Sequence, residues 1–124
     1  MTNKDMKLVY LAISKHYFYF RMHISKFVLQ KGCVPLNPFM IFEYFMLDTV
    51  DRDTVRNANN TLVKRADELW VFGPISDGVL TEIKLAKQMN KQVKYFAVVN
   101  SREIKEISKD KVEFEEDLET FNEL

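Results

Sequence analysis

The sequence predicts an α/β fold: a flavodoxin/Rossmann-like three-layer sandwich on a parallel sheet of four to five strands. Three observations carry this. Short, nearly continuous apolar runs recur along the chain, as in residues 7–13, 68–72 and 92–99, and suit strands buried on both faces. Amphipathic stretches at helical spacing separate them, and strands alternating with helices imply right-handed crossovers. Only three Gly and three Pro occur in 124 residues, which leaves no room for linkers, and no internal repeat is visible. One domain over residues 1–124 is expected.

Residues 7–13 form the first predicted strand. Ser14 caps a helix over residues 15–31, with Tyr17, Phe20, Ile24, Phe27 and Val28 facing the core and Arg21, Ser25, Lys26 and Gln30 facing out. Gly32 stops it. Residues 33–36 make a short second strand closed by Pro35-Leu36-Asn37-Pro38. Residues 39–47 are apolar and read as a short helix or a lid-like loop. A second helix covers residues 54–66, and the third strand is 68–72. After the tight loop Gly73-Pro74-Ile75-Ser76-Asp77 a third helix runs over residues 78–90, followed by the fourth strand, 92–99. A short helix is expected over residues 101–108, an edge strand at 112–114 and a last helix at 115–124. The expected strand order is 2-1-3-4-5, which puts strands one and three side by side.

Composition excludes several classes. The formal net charge is zero, so bulk attraction to nucleic acid or to a membrane is not expected. One cysteine, Cys33, rules out an internal disulfide and fits a reducing cytoplasm. One Cys and two His are too few for an ordinary structural zinc site, and no metal or cofactor is implied. The polar start Asn3-Lys4-Asp5-Met6-Lys7 leads straight into a strand, so no secretory leader is expected. Apolar runs are too short to span a membrane. Tyr19 and Met22 lie off the stripe of the first helix, and self-association into a homo-oligomer is expected.

One residue is out of pattern. At about 100° per residue, Val79, Leu80, Ile83, Leu85, Ala86 and Met89 form one stripe of the third helix, and Glu82 falls inside it. A carboxylate turned towards a core is costly unless it is paired or put to use. A partner such as Lys15 or Arg21 is one explanation. The other is chemistry, since a carboxylate in a partly apolar pocket serves as acid, base or nucleophile. Ligands of doubly wound folds bind outside the carboxyl ends of the strands. There, Ser14 and His16 follow strand one, Asn37 follows strand two, and Ser76, Asp77 and Gly78 follow strand three. Backbone N–H groups near Gly78 favour an anion. Tyr10 and Tyr17 are placed to bond the carboxylate or to stack on a base.

The chain resembles the nucleoside 2-deoxyribosyltransferase superfamily, and within it the small uncharacterised domains. Carrying that resemblance are Val9-Tyr10-Leu11-Ala12, Pro35 to Pro38, Ala66-Asp67-Glu68-Leu69-Trp70-Val71 and Ser76-x-Gly78-x-x-x-Glu82-Ile83-x-x-Ala86. The resemblance implies that Glu82 is the nucleophile, Tyr10 its supporting hydroxyl, and Gly78 a point of close backbone approach to ligand. The family's base-contacting Asp is Ser76 here, beside Asp77. Its sugar-contacting Asp is Asn60, and the Gly after its catalytic Glu is Lys84. What the resemblance implies is an enzyme cleaving or transferring the N-glycosidic bond of a nucleoside, nucleotide or related metabolite. A non-catalytic nucleotide-binding module of the same fold is the alternative.

Overall fold

The computed structural model describes residues 5–42, 46, 49–100 and 103–115. Five strands form one sheet in the order β2-β1-β3-β4-β5. These are β1 (Leu8–Ile13), β2 (Val34–Leu36), β3 (Glu68–Phe72), β4 (Gln92–Val99) and β5 (Glu103–Ile107). The first four run parallel, with Tyr10 opposite Leu36 on one side and Leu69 on the other, while β5 runs antiparallel to β4. The predicted order and class therefore hold.

Strand alternation sorts the core into two layers. Tyr10 and Ala12 of β1, with Leu69 and Val71 of β3, face α3 (Arg52–Arg65) and α4 (Asp77–Gln88), where Val63, Val79, Leu80, Ile83 and Ala86 cover them. Val9, Leu11 and Ile13, with Trp70 and Phe72, face the other way, onto Ile24 and Val28 of α1 (Arg21–Gln30). At the start of β3 the buried Glu68 accepts hydrogen bonds from Lys7 Nζ at 2.8 Å and Trp70 Nε1 at 2.9 Å. Asp67 accepts from the Leu8 N–H at 2.8 Å, so β1 and β3 are also pinned by side chains.

Local departures from expectation have physical causes. The first helix is divided: residues Lys15–Phe20 wind as a 3₁₀ helix before α1 begins. The 3₁₀ period of three keeps Tyr17 and Phe20 on one side, ring centroids 5.3 Å apart, against the core. Ser25 does not face out. It is buried, and its hydroxyl accepts from Asn37. The helix α2 is a single turn, Pro38–Ile41, capped by Asn37. Most of residues 43–48 lies outside the described residues. The helix expected at 101–108 is instead β5. Ile104 and Ile107 are three apart, which reads as one face of a helix. In a strand the same spacing puts them on opposite faces, and each here joins a different core layer. The strand expected at 112–114 is a single bridge, Phe114 to Ile75, closed by Ile75 N–H to Glu113 O at 2.8 Å and Glu115 N–H to Ile75 O at 2.9 Å. It clamps the β3–α4 loop. The helix expected after residue 115 lies outside the described residues.

Gly73 ends β3 with φ +80°, and a Cβ there would stand 2.6 Å from Tyr17 Cε2. Gly73→Ala is expected to cost about 2–4 kcal/mol, from left-handed strain plus overpacking against the ring. Urea unfolding checks this, and a loss under about 0.5 kcal/mol would contradict the contact.

Candidate active site

Tyr10 sits mid-strand in β1 with its side chain in the α3/α4 layer, 1% exposed. A phenol there needs a partner for its O–H. It finds one in Glu82, donating a hydrogen bond to Oε2. Glu82 reaches this position because α4 starts abruptly. Ser76 caps it, its hydroxyl accepting from Val79 N–H at 3.3 Å, and Asp77 occupies the first turn. One turn later the stripe that buries Val79, Leu80 and Ile83 carries Glu82 with it.

The side chain of Glu82 is half-buried, and it opens on a cavity of ≈ 270 Å³ lined by Arg56, Asn59, Asn60, Asp77, Gly78, Thr81 and Glu82. Burial pushes its carboxyl up to about 7, and the Tyr10 hydrogen bond pulls the other way. It makes no ion pair with a described lysine or arginine, so pairing with Lys15 or Arg21 is not how its burial is compensated. Tyr10 in turn is pushed well above the usual phenol range, by burial first and then by the Glu82 charge, and stays a donor. The pair is a carboxyl poised between its two forms near neutrality, oriented by a hydroxyl that does not ionise.

Of the residues singled out in the sequence, Asn60, Asp77 and Gly78 line this cavity with Glu82. A Cβ at Gly78 would meet no protein atom within 4 Å, so the glycine leaves the cavity wall open. Ser76 and His16 line a second cavity of ≈ 700 Å³, with Tyr17, Pro74, Phe114 and Glu115; Asp77 is common to both. Ser14 lines neither cavity: it caps the 3₁₀ helix and its buried hydroxyl donates to Glu115, whose other oxygen lies 3.8 Å from His16 Nε2. Asn37 lines neither cavity. It is 1% exposed, and its amide is spent on Ser25 Oγ (3.1 Å), Arg21 O (3.4 Å) and the Phe39 N–H (3.1 Å).

Arg56, Asn59 and Thr81 were not anticipated. Arg56 reads as part of a solvated helix face, but Arg56, Asn59 and Asn60 stand at i, i+3 and i+4 on α3, which places them on one side of that helix. That spacing was the available signal. Asn59 Oδ1 is buried in this wall with no hydrogen-bond partner among the described residues. An acceptor in that state carries an unmet hydrogen bond at the edge of the site.

Tyr10→Phe tests the pair directly. Without the hydrogen bond that favours the charged form, Glu82 is expected to titrate about one unit higher. Carbon NMR of the labelled carboxyl reads this, and an unmoved titration would show that the hydroxyl does not act on Glu82.

Fold and site together define a doubly wound α/β domain with a tyrosine-supported carboxyl near the carboxyl edge of its sheet. A family model described as a domain of unknown function (DUF7768) matches residues 12–96, and the chain belongs to that family. Among solved structures it is similar to a 2-desoxiribosyltransferase from Leishmania mexicana, with a TM-score of 0.56 and 17% identity over 74% of this chain and 65% of that one. The chain thus spans less than two thirds of that protein's length, and at this identity the likeness is one of fold. No curated protein matches. No helix among the described residues is long and apolar enough to cross a membrane.

Proposed function

We propose that this protein cleaves, or transfers across, the N-glycosidic bond of a nucleoside, a nucleotide or a related metabolite, with Glu82 as the nucleophile. The observation that carries this is the Tyr10–Glu82 pair facing a cavity: a desolvated carboxyl, held by a neutral hydroxyl and unpaired with any described cation. In the reaction an Oε of ionised Glu82 bonds to the anomeric carbon as the carbon–nitrogen bond breaks. The electron pair leaves with the base nitrogen, which takes up a proton from solvent, and the incoming water or acceptor base returns one to solvent in the second step. Water or an acceptor base then attacks the same carbon and releases Glu82, the two-step course that a single carboxylate nucleophile permits.

The resemblance in motif and the likeness of fold to a 2-desoxiribosyltransferase support the same reading. In this reading Asn60, which lines the cavity with Glu82, is assigned to the sugar hydroxyls, and Asp77, common to both cavities, with Ser76 beside it, to the base. Arg56 and the α4 N-terminus add positive potential for an anionic substituent. Self-association through the face carrying the exposed Tyr19, Met22 and Leu29 belongs to this reading as well.

The test is incubation of the purified protein with nucleosides and their 5′-monophosphates, with chromatography for free base and a melting-shift screen alongside. A ligand at 100 to 1,000 times its Kd should add about 3–4 kcal/mol of stability. Release of base supports the enzyme. A melting shift without release makes the protein a binding module, and neither result leaves the nucleoside reading without support.

A further inference from the structure

Two cavities share Asp77, and they differ in the charges they carry. The Glu82 cavity has Arg56 in its lining, and Arg56 makes no ion pair with a described residue. The neighbouring cavity of ≈ 700 Å³ is lined by the carboxylates Asp77 and Glu115, and no lysine or arginine is among its described lining residues. His16 is its one basic group, and at 67% exposure and 3.8 Å from Glu115 it offsets little of that charge. Asp77 makes no ion pair and no side-chain hydrogen bond with a described residue. An acid in the first turn of a helix is favoured by the dipole, and that alone accounts for Asp77. It does not account for Glu115, which comes from the last described stretch of the chain and is fixed there by the Ser14 hydroxyl. Nor does it account for Tyr17 and Phe114, which add two aromatic rings to the same cavity.

We propose that the base entering this cavity is a cation: a quaternised heteroaromatic ring, such as an N-ribosyl pyridinium or an N7-alkylated purine, bound by Asp77, Glu115 and the two aromatic side chains. As a substrate class this rests on the reading of Glu82 as nucleophile. A neutral ring covering two carboxylates strips them of water without supplying an opposite charge, whereas a positive ring supplies it. The faces of Tyr17 and Phe114 attract the same charge through their quadrupoles. A phosphate on the sugar of such a ligand finds its own counter-charge in Arg56 of the adjoining cavity. The chemistry agrees with the charge. A neutral base must gain a proton as it leaves, and a cationic ring need not. When Glu82 bonds to the anomeric carbon, the electron pair of the breaking carbon–nitrogen bond neutralises the ring, which departs as a neutral heterocycle. Water then attacks the same carbon, Glu82 is released as a carboxylate, and one proton passes to solvent.

Calorimetry on the full chain carrying Glu82→Gln, at constant ionic strength, compares N7-methylguanosine with guanosine, below neutral pH so that the methylated base stays cationic. The cationic member is expected to bind at least about tenfold tighter. Asp77→Asn, and separately Glu115→Gln, which keeps an acceptor for Ser14, should each cut that preference about three- to tenfold. Equal or weaker binding of the cation, no binding of either nucleoside, or a preference that survives both substitutions overturns the proposal. Chromatography of the wild-type protein with the same pair separates this result from the reading beneath it. Base released from guanosine with no preference for the cation overturns the cationic substrate and leaves Glu82 as nucleophile. A charge preference in binding with no base released from either nucleoside overturns the substrate assignment and the nucleophile together.

Discussion

Glu82→Gln is expected to lower base release by at least about 1,000-fold, with little change in ligand affinity. The substitution keeps the shape and the hydrogen bond from Tyr10, since the amide oxygen still accepts, and removes only the ability to carry negative charge. A residue that merely fills space would tolerate it. The pH profile of the wild-type protein then assigns the role. With the carboxyl titrating at about 7, a nucleophile must first lose its proton, so kcat/KM should fall about tenfold per unit below pH 7 and level off above it. A general acid would show the reverse, losing activity above pH 7. Full activity in the variant would leave Glu82 a structural residue and remove the proposed mechanism.

The parts of this site that were visible in the sequence are those that break a local period. Glu82 stands in an apolar stripe, and Tyr10 puts a hydroxyl in a strand that is otherwise aliphatic. Both anomalies are detectable within a few residues of chain. They meet only because β1 and α4 share a core layer across 72 positions, a contact that the predicted strand order already implied. Arg56 and Asn59 obey their local period, so only their spacing with Asn60 marks them, and what that side of the helix faces is visible only once α3 is laid against α4. Asn37 shows the converse. It follows strand two as a crevice residue should, but the nearby hydroxyl of Ser25 claims its amide and turns it into a cap.

The error over β5 has a different origin. Ile104 and Ile107 satisfy a helical spacing and a strand equally, and the free edge of β4 decided between them. A sheet edge offers a row of unpaired backbone groups, and pairing it outweighs a weak local preference. Glu68 illustrates burial that composition hides. It opens a strand in the manner of a surface residue, while its partner Lys7 is 61 positions away.

The burial of Glu82 also has a consequence for stability that runs opposite to the usual carboxylate. Most paired carboxylates in folded proteins titrate below their unfolded value, and stability is lost as they are protonated. Glu82 is raised, from 4.5 to about 7. Below pH 4.5 it is protonated in both states and makes no difference. Between 4.5 and 7 the unfolded chain releases the proton and the folded one keeps it, so the folded state binds more protons and stability falls as pH rises. Above 7 both are ionised and the loss is complete, at about 3 kcal/mol for a shift of this size. Glu82→Gln removes the penalty. Its melting temperature should match the wild type near pH 4 and exceed it by roughly 10 °C at pH 8, the difference opening between those limits. Taking the difference between the two proteins cancels every other titrating group common to both. A variant no more stable than wild type at pH 8 would show that the ionised carboxyl is solvated or paired in the folded state.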